Sequence, residues 1–106
     1  MAFNATLRVS EETATVRLVG ELDVSSAPRF NDLIAEAAGY KLSRLVMLAD
    51  ELTYMSSAGL RCLVFAHQKM PPGVEIMFLG AQPDVAETIK LTGFDRSIVL
   101  QEASER

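Results

Sequence analysis

Tryptophan is absent from this 106-residue sequence, and cysteine and histidine occur once each, as Cys62 and His67. A lone cysteine excludes an intramolecular disulfide and a cysteine-based zinc site, and it suits a reducing compartment. Basic residues are few and scattered: Arg8, Arg17, Arg29 and Arg61 stand isolated in a chain of formal net charge −4. That leaves no electrostatic footprint for nucleic acid or an anionic membrane surface, and protein or small-molecule partners are favoured. Long apolar runs are missing too, since Leu45–Ala49 and Cys62–Ala66 extend no further than five residues each. A membrane-spanning helix needs about 20. The start Met1–Thr6 has neither the basic nor the apolar region of a secretory signal, so the expectation is a cytoplasmic protein.

What is present is an ordinary globular composition, with 49% hydrophobic and 23% charged residues. A chain of this size buries about two-thirds of its unfolded surface and sustains one core without metal or disulfide staples, which predicts a single domain. Apolar positions alternate at Phe3, Ala5, Leu7 and Val9, and again at Ala14, Val16 and Leu18 after a polar break, the pattern of a hairpin. From Ala27-Pro28 the spacing of Phe30, Leu33, Ile34 and Ala37 is helical. Ser25 or Ser26 is expected to cap its first amides and Gly39 to close it in a left-handed conformation.

Leu45–Ala49 reads as a strand buried on both faces of a parallel sheet, followed by a loop from Asp50 to Ser57. A second helix is predicted from Ala58 to about Met70, stopped by Pro71-Pro72-Gly73. Leu60, Leu63, Val64 and His67 share one of its stripes; Cys62, Phe65, Ala66 and Lys69 share another, and only one can face the sheet. Val74–Leu79 predicts a strand and Gln82-Pro83-Asp84 the start of a third helix, with Val85, Ile89 and Leu91 inward and Gly93 closing it. Ile98–Leu100 can add a last strand, and the acidic end 101–106 is expected to fray. The order β-β-α-β-α-β-α-β describes a small α/β domain over residues 1–100, with a mostly parallel mixed sheet of four to five strands and about three helices packed outside.

Enzyme constellations are largely missing. Neither a G-x-x-x-x-G-K-[ST] loop nor a G-x-G-x-x-G turn occurs, which excludes the common nucleotide folds. Ser56-Ser57-Ala58-Gly59 lacks the G-x-S-x-G frame of a hydrolase elbow. His67 stands ten residues beyond Ser57, about 15 Å along one helix, too far to act as its base. Cys62 reads as a packing residue. Asp23, Asp50 and Glu51 fall where strand ends meet helix starts, either as part of the usual functional rim of an open parallel sheet or as plain turn residues. Taken locally, Ser56 or Ser57 is a helix cap, contributing about 1 kcal/mol.

Several segments together resemble a known family. Gly20-Glu21-Leu22-Asp23 followed by Ala27-Pro28, then Met55-Ser56-Ser57-Ala58-Gly59-Leu60-Arg61, Leu79-Gly80 and Leu91-Thr92-Gly93-Phe94, are similar to the successive signatures of STAS domains of the anti-sigma factor antagonist type. The resemblance spans nearly the whole chain. It implies that Ser57, the first serine of a D-S-S-G-L pattern, is a phosphoacceptor at the start of the second helix, with Ser56 the second choice. Ser56 stands at the family's Asp position, Ala58 at its second serine, and Leu48 where an acid is expected near the end of the central strand, two residues before Asp50.

The function implied is partner switching. Unphosphorylated, such a protein binds an anti-sigma factor that is also a GHKL-type serine kinase; phosphorylation ends the complex, and a PP2C-type phosphatase restores it. ATP and Mg²⁺ belong to the kinase, so this chain is a binding protein and substrate with no catalytic residues, metal or cofactor of its own. Asp23, Ser25, Ser26, Ser56, Ser57 and Arg61 form the expected rim. Helix geometry, apart from the resemblance, puts Phe65 either on a partly exposed patch beside Ser57 that helps to dock the partner or buried against a neighbouring helix. A phosphate at a helix N-terminus meets free amides and a favourable dipole, so the domain should tolerate it. A second reading makes the chain an unphosphorylated STAS module that binds a small ligand or serves in a transport or lipid-handling complex, and the sequence leaves both a monomer and a homodimer open.

Overall fold

The computed structural model describes residues 2–103. Strands β1 (Asn4–Ser10) and β2 (Thr13–Leu22) form the predicted hairpin, and α1 (Ala27–Ala37), β3 (Arg44–Met55), α2 (Ser57–Lys69), β4 (Glu75–Ala81), α3 (Pro83–Leu91), a 3₁₀ turn at Phe94–Arg96 and β5 (Val99–Glu102) follow. The five strands lie in the order β1-β2-β3-β4-β5, with β1 antiparallel to β2 and every later neighbour parallel. The protein is thus a small α/β domain with a mixed five-stranded sheet.

Each β-α-β crossover steps one strand in the same direction, and right-handed crossovers of one direction place every helix on the same face. Burial follows that rule. Ala14, Val16, Leu18, Leu45, Met47, Ala49, Ile76 and Phe78 point to the helices and are buried, whereas Val46, Leu48, Met77 and Leu79, on the other face, are only half-buried. Helices therefore cover one side of the sheet, and the central strand is not enclosed on both faces as its apolar run suggests. An unbroken run reports high burial on one face and partial burial on the other equally well.

Strand β3 also continues to Met55, through the stretch expected to be a loop. Register shifts opposite Arg17/Val19 and Gly20/Glu21 let it keep pairing with β2. Its buried positions then become Ala49, Leu52 and Met55, every third residue, so the period of two that marks a strand disappears. Asp50 and Glu51 accordingly lie within β3; Glu51 pairs with Arg17, and the Asp50 carboxylate lies so close over Gly80 that a Cβ there would overlap it.

Three helix details depart from expectation. α1 ends at Ala38 with ordinary helical torsions, and Gly39 is not left-handed, whereas Gly93 is, at φ 78°. α2 buries Gly59, Cys62, Leu63 and Ala66, and His67 is exposed with its ring edge-on to Phe94 at 5.9 Å. Small side chains let α2 approach α1 closely, with the Cys62 sulfur 3.7 Å from the Ala27 carbonyl oxygen. A larger residue such as Leu60 or Val64 has to stand at the flank. Leu91 is 79% exposed on α3, where Val85, Ala86 and Ile89 face inward. At the C-terminal end, β5 runs to Glu102, which pairs with Lys90, while 104–106 of the stretch expected to fray lie outside the described residues.

Candidate functional site

The C-terminal ends of β2 and β3 lead into the N-termini of α1 and α2, and the structure brings these two turns together. The Ser56 amide donates to the Leu22 carbonyl oxygen at 2.9 Å, so the start of α2 is pinned to the end of β2. Gly59 completes the junction: a Cβ there would stand 2.9 Å from Leu22 Cγ and Met55 Cγ, a spacing that real Cβ atoms do not adopt. Glycine is required by this close approach and not by any unusual torsion.

Ser56 and Ser57 have different tasks. Ser56 is the N-cap, with extended torsions, and its Oγ accepts the Gly59 amide at 3.4 Å. Ser57 is the first helical residue and is exposed. The amides of Ser57 and Ala58 open the helix without intrahelical acceptors, and they set a positive field around the Ser57 hydroxyl. Arg61, also exposed, follows four residues later and so lies on the same side of the helix. The local cap reading therefore applies to Ser56, and Ser57 is left accessible.

Opposite, the turn before α1 is organised by Asp23. One carboxylate oxygen, Oδ1, accepts from the Ser25 amide at 3.0 Å, the Ser25 hydroxyl at 2.8 Å, the Ser26 amide at 3.2 Å and the Ser26 hydroxyl at 3.1 Å. Ser26 precedes α1 but makes no side-chain bond to its first amides; its Oγ instead accepts from the Asp23 amide at 2.8 Å and lies 3.0 Å from the Glu21 carbonyl oxygen. This corrects the expected cap. The serines close the Asp23 turn, and Pro28 at the start of α1 removes one amide that would otherwise need an acceptor.

The Ser25 hydroxyl above all, and the Ser26 amide next, hold the Asp23 carboxyl below its ordinary pKa, against weak desolvation. A folded-state pKa below the unfolded value stabilises the turn at neutral pH, and that contribution is lost as the pH falls through the folded value. A carboxyl-carbon NMR titration should therefore give Asp23 a midpoint below that of a model aspartate. A midpoint at or above the model value would show that the turn does not hold in solution.

Between Asp23 and Ser25, Val24 is 76% exposed, an apolar side chain at the tip of an otherwise polar turn. The signal is in the sequence, where Val24 is the one apolar residue of the run Asp23–Ser26. Phe65 falls elsewhere than expected: half-buried against the core and eight residues, about 12 Å, along α2 from Ser57, it is not beside it. Cys62 is buried, and burial pushes its thiol up to about 11 despite the nearby Arg61, which fits packing and not nucleophilic chemistry. No group of three or more metal-ligating side chains occurs among the described residues, and none of their helices is long and apolar enough to cross a membrane.

A model of the STAS domain matches residues 4–106. The chain belongs to the STAS domain family. Solved structures share the fold at low sequence identity. An anti-sigma factor antagonist from Mycobacterium paratuberculosis is 21% identical at a TM-score of 0.87, over 94% of this chain and 86% of that one. SpoIIAA in its unphosphorylated form is 20% identical at 0.68, over 90% and 96% of the two chains. The Bacillus cell-fate determinant SpoIIAA in the phosphorylated form is 20% identical at 0.71, over 93% and 90%. In this STAS domain the segment 56–61 forms the cap and N-terminal turn of α2, and Gly20–Leu22, with Asp23 just after it, forms the β2 end against which that turn rests.

Proposed function

We propose that this STAS domain is an anti-sigma factor antagonist that regulates transcription by partner switching, with Ser57 as its phosphoacceptor. Unphosphorylated, it binds an anti-sigma factor of the GHKL serine kinase class in the cytoplasm; phosphorylation of Ser57 ends the complex, and a PP2C-type phosphatase restores it. ATP and Mg²⁺ come with the kinase, and the domain contributes a surface and a hydroxyl, not catalysis.

The observation that carries this reading is the division of labour between the two serines. Because Ser56 serves as the cap, Ser57 Oγ can be modified without removing a helix-stabilising bond, and the added charge of about −1.5 to −2 sits among free amides and near Arg61. The fold should survive phosphorylation while the charge at its surface changes. Asp23, on the adjoining turn, adds a fixed negative charge to the same rim, so that a partner surface arranged for Asp23 and a neutral hydroxyl meets two anions afterwards. Val24, Ser25, Ser26 and Arg61 complete the contact in this reading, with Phe65 at its far margin.

Incubation with Mg-ATP and an extract of the native cells, followed by intact mass and peptide mapping, tests the acceptor. One phosphoryl group on Ser57, absent in Ser57→Ala, is the expected result. Modification at Ser56 would move the acceptor by one residue and contradict its role as cap; an unmodified chain, in an extract that labels another known acceptor, would overturn the switch.

A further inference from the structure

The face of the sheet away from the helices carries two complete cross-strand rows. Arg8, Thr15, Val46, Met77 and Val99 are in register from β1 to β5, and Thr6, Arg17, Leu48, Leu79 and Gln101 form the next row. Val46, Leu48, Met77 and Leu79 thus make a four-residue apolar block at its centre, each half-buried, extended by Val99 at 40% exposure. The strands continue on either side of the block. Before it, Arg44 on β3 is paired with Glu75; beyond it, Glu51 on β3 stands opposite Val19 and is paired with Arg17.

We propose that this face is the interface of a homodimer in which two copies stack sheet on sheet. The arrangement is self-complementary about a two-fold axis lying across the strands between the two rows. That operation sets Val46 of one copy over Leu48 of the other and Met77 over Leu79, so apolar residues meet apolar residues. It also carries Arg44 over Glu51, so that at both margins the Arg44–Glu75 pair of one copy meets the Arg17–Glu51 pair of the other with opposite charges facing. A heterologous partner has no reason to match that reversal of charge along one strand, whereas a second copy matches it automatically. Sheets pack face to face at about 10 Å with strands nearly aligned, which this antiparallel stacking permits.

The size is also adequate. At about 4.8 Å between strands and about 3.3 Å per residue, the whole five-strand face covers on the order of 500 Å² per copy, and about 1,000 Å² in total is at the lower bound for a specific interface. An interface of this modest size suits a weak, reversible dimer. The interface is independent of the reading of Ser57, because α2 and its N-terminus lie on the opposite face.

Sedimentation equilibrium from low to high micromolar concentration tests the dimer. Wild type should pass from monomer to dimer, and Leu48→Arg should abolish the transition with an unchanged circular dichroism spectrum; Met77→Arg is the second variant should the first fail to fold. Arg44→Glu and Glu51→Arg should each weaken self-association at least about ten-fold by placing like charges opposite one another. Mixing those two variants should restore dimerisation, since both contacts of the mixed pair then join opposite charges. Ser57→Asp should dimerise as wild type does. A chain that stays monomeric throughout, a dimer unaffected by Leu48→Arg and Met77→Arg, or a mixture no better than its components would each overturn the interface, and so would occupation of the face by an apolar ligand in the monomer.

Discussion

Ser57→Asp should lose the anti-sigma kinase, with affinity reduced at least about 100-fold, while its thermal stability stays level or rises; Ser57→Ala should bind within a few-fold of wild type. The two readouts diverge for a physical reason. Ser57 is exposed and is the first residue of α2, so a carboxylate there meets the dipole end and free amides, a gain of about 0.3–1 kcal/mol to the fold. In the complex, the same charge is pressed against a surface that accommodates a neutral hydroxyl next to Asp23, and like-charge juxtaposition at an interface costs several kcal/mol. A full switch from 99:1 bound to 99:1 free needs about 5.5 kcal/mol of differential affinity, far beyond the dipole contribution, so the discrimination has to reside in the partner contact. Aspartate carries less charge than phosphoserine and should reproduce most, not all, of the loss. Calorimetric titration of the kinase with the three proteins, alongside melting curves, is the measurement; equal binding by Ser57→Asp and Ser57→Ala would sink the switch.

The second large effect lies beneath that surface. Leu22 is fully buried at the end of β2, its Cγ and Cδ2 lie 2.9 and 3.0 Å from where a Cβ on Gly59 would stand, and its carbonyl oxygen holds the Ser56 amide. Leu22→Ala should destabilise the domain by about 2–5 kcal/mol, the usual range for truncating a buried leucine that leaves a cavity. Gly59→Ala alone sets an overpacking cost of about 1–3 kcal/mol against a gain in helix propensity of about 1 kcal/mol. In the double variant the new methyl enters space the leucine vacates, so the loss should fall short of the sum by about 1 kcal/mol or more. Urea denaturation of the four proteins closes the cycle. Strict additivity would mean that Leu22 and Gly59 do not share one packing contact, and that α2 is positioned some other way. Partner binding by Leu22→Ala measured well below its unfolding midpoint adds a functional reading, because a loosened α2 start moves Ser57 relative to Asp23.

Much of this was legible in the chain itself, and the reason differs from element to element. The hairpin and all three helices follow from local periodicity, from prolines placed at helix starts and from Pro71-Pro72-Gly73 after α2, because those signals act within a few residues. The serines before α2 were recognisable as a cap, but which one caps and which stays accessible depends on where the helix begins. The Asp23 turn shows the same limit: two serines ahead of a proline look like caps for α1, yet their hydroxyls turn back to one carboxylate. The Asp23 carboxylate accepts both hydroxyls and the Asp23 amide donates to Ser26 Oγ, and no side-chain bond to the first amides of α1 is made.

The composition and pattern of this sequence determined a single α/β domain, its order of elements, and the presence of a serine pair ahead of an apolar helix. Tertiary structure alone decided the rest. Only the common direction of the three crossovers leaves one sheet face without helices, so that Val46 and Leu48 lie half-open in a run that reads as fully interior. Only the bulged pairing with β2 carries β3 on to Met55, and only the close approach of Leu22 and Gly59 brings Asp23 and Ser57 to one rim. Periodicity records how a residue relates to its own helix or strand, whereas these features depend on which other element arrives against it.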